Sequence, residues 1–348
     1  MQLDINLICR NSQARLQKTL DSLSNQTFTD FHVTVFDDAS TDSTSEIVQE
    51  HIRRDSRFSY YRNPERLYIG NFQRAFQHGN AEFVMPKSAD DHLEHSFIEK
   101  CLQRLESPDN VMVHAKADVL NTDDSLKQTY PDAAWLRIQQ DNPFERALKL
   151  ASTYTFAPAF WGIYRRSASA RLQPFPFING FDHIILCEMA LYGKIDYVDE
   201  VLFHRHFGAS PLADNAKKAT LQGIRDLSQE SCSADFSYLT PITSTIIGHI
   251  DMVRNVRIDE AMRPAFLTHL LSLLRGRFAP YLDQELPFLL AQRQGFLAVL
   301  RDNTVPVEMR LLLQKSLADQ LLGTRMAIGD HSLAGDVADF YRDIAGAL

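Results

Sequence analysis

Basic charge is what this chain of 348 residues lacks first: 36 lysines and arginines stand against 44 aspartates and glutamates, a formal net charge of -8. Clustered positive charge is how proteins neutralise nucleic-acid phosphates, so the balance speaks against a nucleic-acid partner. The deficit is uneven, because residues 215–348 carry 14 basic and 15 acidic side chains and nearly all the excess lies before them. Cysteine is scarce as well. The four present, Cys9, Cys101, Cys187 and Cys232, show no CxxC spacing and fall mostly in apolar segments, which reads as reduced core thiols of a cytoplasmic protein rather than a disulfide framework. No apolar run approaches the roughly 18 residues of a membrane span, and Met1-Gln2-Leu3-Asp4 lacks the basic start of a signal peptide. Internal repeats and low-complexity segments are absent. What the chain does have is 45% apolar residues, enough to fill one large domain or two ordinary ones.

The first third alternates in kind. Leu3 to Cys9 reads as a buried strand, followed by a helix with Leu16, Leu20 and Leu23 on one face and Asn11 or Ser12 as its cap. Phe31 to Phe36 is a second strand, and Ser43 with Glu46 has the spacing of a capping box for a helix carrying Ile47, Val48 and Ile52. Strands at Phe58 to Tyr61, Phe83 to Met85 and Asn110 to His114 alternate with helices near residues 71–78 and 97–105. Five strands with four helices between them predict an α/β fold, a mostly parallel sheet covered by helices. Residues 119–150 are polar and unassigned; Thr155 to Tyr164 and Tyr197 to Phe203 read as strands, and Gly180-Phe181-Asp182 opens a helix that Gly193 closes. Beyond about residue 213 the pattern is helical, with amphipathic stretches at 267–274, 288–300 and 309–322 and Pro280, Pro287 and Pro306 as punctuation.

Two acidic pairs end predicted strands, Asp37-Asp38 and Asp90-Asp91. Each is compatible with plain helix capping. Together, at the carboxyl ends of parallel strands, they fall where open α/β sheets bind ligands, and a carboxylate there can accept a base's ring N–H or hold a hard divalent cation.

The order and spacing of these segments carry a resemblance. The stretch NSQARLQKTLDSLSNQTFTDFHVTVFDDASTDST from Asn11 resembles the start of the family 2 glycosyltransferases of the GT-A fold, and so do NPERLYIGNFQRAF from Asn63, FVMPKSADDH from Phe83 and GFDHIILCEMALYGKI from Gly180, with Asp182 eleven residues before Gly193. The likeness covers residues 3–210. It implies a GT-A nucleotide-sugar-binding catalytic domain over 1–213, a helical C-terminal domain over 214–348, and inverting transfer from a nucleoside-diphosphate sugar, UDP favoured, to a glycan, lipid-linked or protein acceptor in surface polysaccharide or glycoconjugate synthesis. Carried over by position, Asp38 contacts the base with Cys9, Arg10 and Asn11 beside it. Asp90 holds Mn²⁺ or Mg²⁺ and the diphosphate, with Asp91 its neighbour in the sugar site. Asp182 is the general base, Arg205 reaches the diphosphate, His206 adds a metal ligand, and Arg66 and Asn71 are nucleotide contacts. Three positions depart from the family: Ile8 replaces a proline, Ser88 the first acid of a DXD, and Phe181 the acid before the base.

The composition adds that an acidic nucleotide half needs a divalent cation to hold a diphosphate. The helical tail is read as core packing, with dimerisation, acceptor docking or peripheral membrane contact through Pro264 to Arg277 as its other uses. The alternatives are an inactive GT-A-like partner-binding protein, a sugar-1-phosphate nucleotidyltransferase, for which the glycine-rich loop after the first strand is missing, and a phosphoacceptor signalling domain, whose acidic pair would close the first strand rather than the second.

Overall fold

The computed structural model describes residues 2–67, 69–129, 137–153, 157–176, 180–206, 241–291, 293–305 and 334–347, with scattered positions between 307 and 321. Thr155, Asn179, Cys232, Pro306 and the expected boundary at 213 lie outside them.

The chain opens with β1 (Leu3–Cys9), every residue of which is buried. Helix α1 (Leu16–Ser24) covers it with Leu16, Leu20 and Leu23, each burial contributing about 1.5–3 kcal/mol against exposure. Next come β2 (Phe31–Asp37), α2 (Thr44–Arg54), β3 (Phe58–Arg62), α3 (Ile69–Gln77), β4 (Phe83–Ser88), β5 (His92–Leu93) and α4 (Phe97–Leu105). After these the chain forms β6 (Asn110–Leu120), β7 (Leu126–Thr129), α5 (Pro143–Thr153), β8 (Ile163–Arg165), α6 (Arg166–Ser169), α7 (Phe181–Tyr192) and β9 (Lys194–His206). The sheet runs β3-β2-β1-β4-β8-β6-β9-β5, with β7 paired to β6. Strands β3, β2, β1 and β4 are mutually parallel, as are β6 and β9; β8 runs antiparallel to both β4 and β6. The mostly parallel α/β sheet is therefore present, with a reversed strand at its middle.

Several local expectations change. Ser43 precedes α2 without a side-chain cap; Asp42 Oδ1 instead accepts from Thr44 N at 3.0 Å and Thr44 Oγ1 at 2.6 Å. Neither Asn11 nor Ser12 caps α1, which begins after Arg15. Asn11 stands in the left-handed region (φ 48°), where its Oδ1 accepts from Thr41 N at 2.8 Å, and Ser12 N donates to Thr44 Oγ1 at 2.9 Å. The polar groups expected to end helices sew the β1–α1 loop to the β2–α2 loop. The strand predicted from Thr155 is a short 3₁₀ turn at Ala157–Trp161 and only three residues of β8. Strand β9 runs on through His204, Arg205 and His206, and β6 extends to Leu120 because its far half pairs with both β7 and β9.

The chain divides into two compact units, Met1–Phe175 with Ile185–Gly208, and Pro176–Ile184 with Ala209–Leu348, so it passes between them within α7. In the second unit α8 (Pro241–Asn255), α9 (Arg263–Ala291), α10 (Arg293–Arg301) and α11 (Ala334–Ala345) are the described helices. Pro280 and Pro287 do not punctuate; α9 runs through both positions. The apolar faces around 296–300 and 313–321 close on Val337, Phe340 and Ile344 as a core of their own. Among the described residues, no helix is long and apolar enough to cross a membrane.

His249, on α8, is 0% exposed, and burial pushes its imidazole down from 6.5 to about 4. Between those values the unfolded chain binds a proton that the folded unit refuses. This group's contribution is thus present above about pH 6.5 and lost as pH falls through about 4, on the order of 3 kcal/mol. Side-chain ¹H–¹⁵N NMR should find the His249 ring neutral at pH 5; titration near 6.5 would contradict this.

Candidate active site

Strand β1 connects through α1 to β2 on one side, whereas the chain returns after β3 to place β4 on its other side. The reversal makes the carboxyl end of β1 a topological switch point, where open α/β sheets have a crevice. Cys9 is in register with Asp37 and Ile8 with Ser88. The backbone contacts continue past the strand ends, Asp38 N to Cys9 O at 2.9 Å and Ala89 N to Ile8 O at 3.2 Å. One acidic pair therefore leaves the sheet on each side of β1.

On the β2 side the two acids differ in task. Asp37, fully buried, accepts from Ser40 N at 2.9 Å and from Tyr60 Oη at 2.5 Å, which fixes the loop. Asp38 Oδ1 accepts from Asn63 Nδ2 at 2.9 Å and Leu67 N at 2.7 Å. Burial pushes the Asp38 carboxyl above the usual range, opposed by those two donors and by the charges of Arg66 and Arg10. Arg10 Nη1 donates to the carbonyls of Asp38 (2.9 Å) and Ala39 (3.1 Å), and the half-buried Arg66 stands on the β3–α3 loop with Asn63 and Leu67. Cys9 turns its thiol into the core, so only its main chain reaches the rim. Asn71 is 0% exposed and bonded at both ends of its amide, Nδ2 to Phe36 O (3.2 Å) and Oδ1 from Asn63 Nδ2 (2.9 Å). It braces Asn63. Sequence reasoning passed over Asn63 itself, although its place just after β3, beside Asp37 in the sheet, is a usable signal.

On the β4 side the pair Asp90-Asp91 splits more sharply. Asp91 is 4% exposed; its Oδ1 accepts from His206 N at 3.0 Å and so ties this turn to the end of β9. Its carboxyl is pushed up by burial and pulled back by Lys87 and Arg205. Asp90 is exposed, the acid of the pair that faces solvent. Beneath them Lys87 is 0% exposed, with Nζ donating to Asp91 O at 2.6 Å and Ser88 O at 2.9 Å, and burial pushes its amine down to about 8. Thr19 Oγ1 donates to Ala89 O at 2.7 Å and Asp91 O at 3.0 Å. A lysine inside a buried strand was the visible sign that this turn has a support below it.

His206 is buried, with Nδ1 donating to Asp90 O at 2.8 Å and Nε2 meeting Asp124 Oδ1 at 2.5 Å. Both ring nitrogens are thus engaged away from the Asp90 carboxylate. Asp124 also meets Arg15 at 3.2 Å and Lys18 at 3.0 Å, and Lys18 first, then His206, holds its carboxyl far below the usual range. His92 stacks on His204 with ring centres 4.7 Å apart. Among the described residues no group of three His, Cys, Asp or Glu side chains is placed to hold a metal ion. One solvent-facing carboxylate is a poor cage for a cation alone; it does fit Mg²⁺ or Mn²⁺ taken up with a diphosphate, since such ions are held by one or two carboxylates plus substrate oxygens. Asp182 is the second residue of α7, half-buried, and belongs to the second unit.

The sheet order and the two acidic turns are those of a GT-A glycosyltransferase. Residues 4–172, just under half of the chain, match the model of Glycosyl transferase family 2. EpsH of Bacillus subtilis, a glycosyltransferase by provisional name, is 24% identical over 220 residues, 60% of this chain and 61% of that protein. The GalNAc(5)-diNAcBac-PP-undecaprenol beta-1,3-glucosyltransferase of Campylobacter jejuni is 31% identical over 96 residues, which is 31% of its length. Of solved structures, S. aureus TarS 1-349 in complex with UDP-GlcNAc aligns with a TM-score of 0.62 at 16% identity, over 100% of this chain and 91% of that one. The mannosyltransferase PcManGT of Pyrobaculum calidifontis, in complex with GDP-Man and Mn²⁺, aligns at 0.52 and 15%, over 99% and 86%. These structural likenesses concern the fold.

Proposed function

We propose that this protein transfers a sugar from a nucleoside-diphosphate sugar, with uridine as the favoured base, to an acceptor hydroxyl with inversion. The observation that carries the reading is the division of labour in the two acidic pairs. Asp37 and Asp91 fix the two turns through buried hydrogen bonds. Asp38, buried as well and held by Asn63 and Leu67, and Asp90, the one exposed acid of the four, stand on either side of the end of β1. Asp38 accepts the base's ring N–H, with the main chain of Cys9, Arg10 and Asn11 lining that side and Arg66 near the phosphates; Asn71 serves through Asn63. Asp90 holds Mn²⁺ or Mg²⁺ together with the diphosphate, and Arg205, whose charge already acts on Asp91, adds to the positive field there. When bound, the cation stabilises the negative charge that grows on the leaving diphosphate. Asp182 takes the proton of the acceptor hydroxyl as its oxygen attacks the anomeric carbon, and one displacement with one base inverts that centre. The complexes of S. aureus TarS with UDP-GlcNAc and of PcManGT with GDP-Man and Mn²⁺ support the donor class.

A thermal-shift panel of UDP, GDP, dTDP and CMP, each with and without Mn²⁺, tests the donor site. At about 100 times its dissociation constant a ligand stabilises by roughly 2.7 kcal/mol, a shift of a few degrees. UDP with Mn²⁺ should raise the midpoint most; no shift with any nucleotide would end the donor-site reading.

A further inference from the structure

The turn that carries Asp182 is held inside the helical unit by a chain of polar contacts. His249 Nδ1 lies 2.7 Å from the Thr245 carbonyl, which only accepts, so Nδ1 carries the proton and Nε2 is left as an acceptor. At the far end Arg277 Nη1 lies 3.2 Å from His183 Nε2. A guanidinium only donates, so that nitrogen is bare and the His183 proton sits on Nδ1. Between them His183 Nδ1 and His249 Nε2 are 2.8 Å apart. A single placement of protons, with both rings neutral and protonated at Nδ1, satisfies all three contacts. His183 and His249 are 5% and 0% exposed, so a missing partner in this chain leaves a buried polar group unsatisfied.

Helix α8 also holds the turn from its other side. Gly180 adopts φ 80°, and a Cβ placed there would stand 2.5 Å from Thr245 Oγ1. Its carbonyl accepts from His183 N at 3.1 Å and Ile184 N at 3.4 Å, closing the turn around Asp182. Thr245 therefore meets both ends of the arrangement, its carbonyl taking the relay's last proton and its hydroxyl packing on the glycine. Gly180 and His183, on either side of Phe181-Asp182, are thus held by α8, and His183 by α9 as well.

We infer that the Arg277–His183–His249–Thr245 relay is how the helical unit positions Asp182 for proton abstraction, which gives that unit a part in the reaction beyond packing. The inference rests on Asp182 being the base. Arg277, His183 and His249 are positioning residues, which act on Asp182 through the turn that their contacts hold.

Two measurements test it. Long-range ¹H–¹⁵N NMR on histidine-labelled protein should show His183 and His249 both as Nδ1–H tautomers; an Nε2–H form of either overturns the relay. Turnover, read as release of nucleoside diphosphate with water as acceptor from the sugar of whichever nucleotide stabilises the protein, should fall about tenfold or more in His249→Leu and Arg277→Met, with KM for the donor within about twofold. His249→Gln, whose amide oxygen can replace the Nε2 acceptor, should recover most of the loss. Arg277 is only half-buried, so Arg277→Met carries the kinetic arm even if His249→Leu fails to fold. Turnover abolished in Asp182→Asn but unchanged in Arg277→Met overturns the inference alone; turnover retained in Asp182→Asn overturns the base assignment and the inference with it.

Discussion

Asp182→Asn is expected to lower turnover by about 10²–10⁴-fold, the usual contribution of a positioned general base, while leaving the UDP and Mn²⁺ thermal shift intact. Asparagine keeps the size and the hydrogen-bonding oxygen of the half-buried side chain but cannot take a proton, so the chemistry is removed and the fold is not. The split between lost turnover and kept binding is the diagnostic result. Loss of both would mean that Asp182 shapes the donor site, and loss of neither would leave the proton without an acceptor in this reading.

Asp90→Asn should abolish the metal-dependent part of the nucleotide shift and lower turnover by about 10²–10³-fold, as when one electrostatic contact to a developing charge is removed. Its neighbour makes the comparison sharp. Asp91 is buried and accepts from His206 N, so Asp91→Ala leaves a buried N–H without its acceptor. The expected cost is about 1–3 kcal/mol of stability, seen as a lower unfolding midpoint with no ligand present. Two adjacent aspartates should thus fail in different assays, and equal behaviour of the two variants in both assays would refute the division between them.

The sequence made the frame of the site legible because strand burial and acidic residues at strand ends are both local signals. Leu3 to Cys9 and Phe31 to Phe36 are read directly from apolar runs, and the α/β alternation fixes where their ends must meet. What escaped notice depends on contacts between distant segments. Asn11, Ser12 and Asp42 have the composition of helix caps, yet all three bond across loops some 30 residues apart. The reversed β8 is three residues long and exists only because β4 and β6 both pair with it. Which acid of Asp90-Asp91 faces solvent was decided by β9, more than a hundred residues later. Pro280 and Pro287 looked like breaks, and α9 runs through them. His183 drew no attention because a histidine beside the base gives no sign of its partner until α8 supplies His249.

The placement of β6 bears on how the protein can be divided. This strand of eleven residues, nine of them buried, lies between β8 and β9, and β9 begins only at Lys194, beyond the last residue matched by the family model. A fragment ending at residue 172 would keep both acidic pairs but lose the His206 N that holds Asp91. It would also leave the β9 side of β6 as a long, unpaired edge, and such edges recruit strands from other molecules. Aggregation of that fragment would then report a missing neighbour rather than a faulty nucleotide site, and any separable catalytic piece has to reach at least His206.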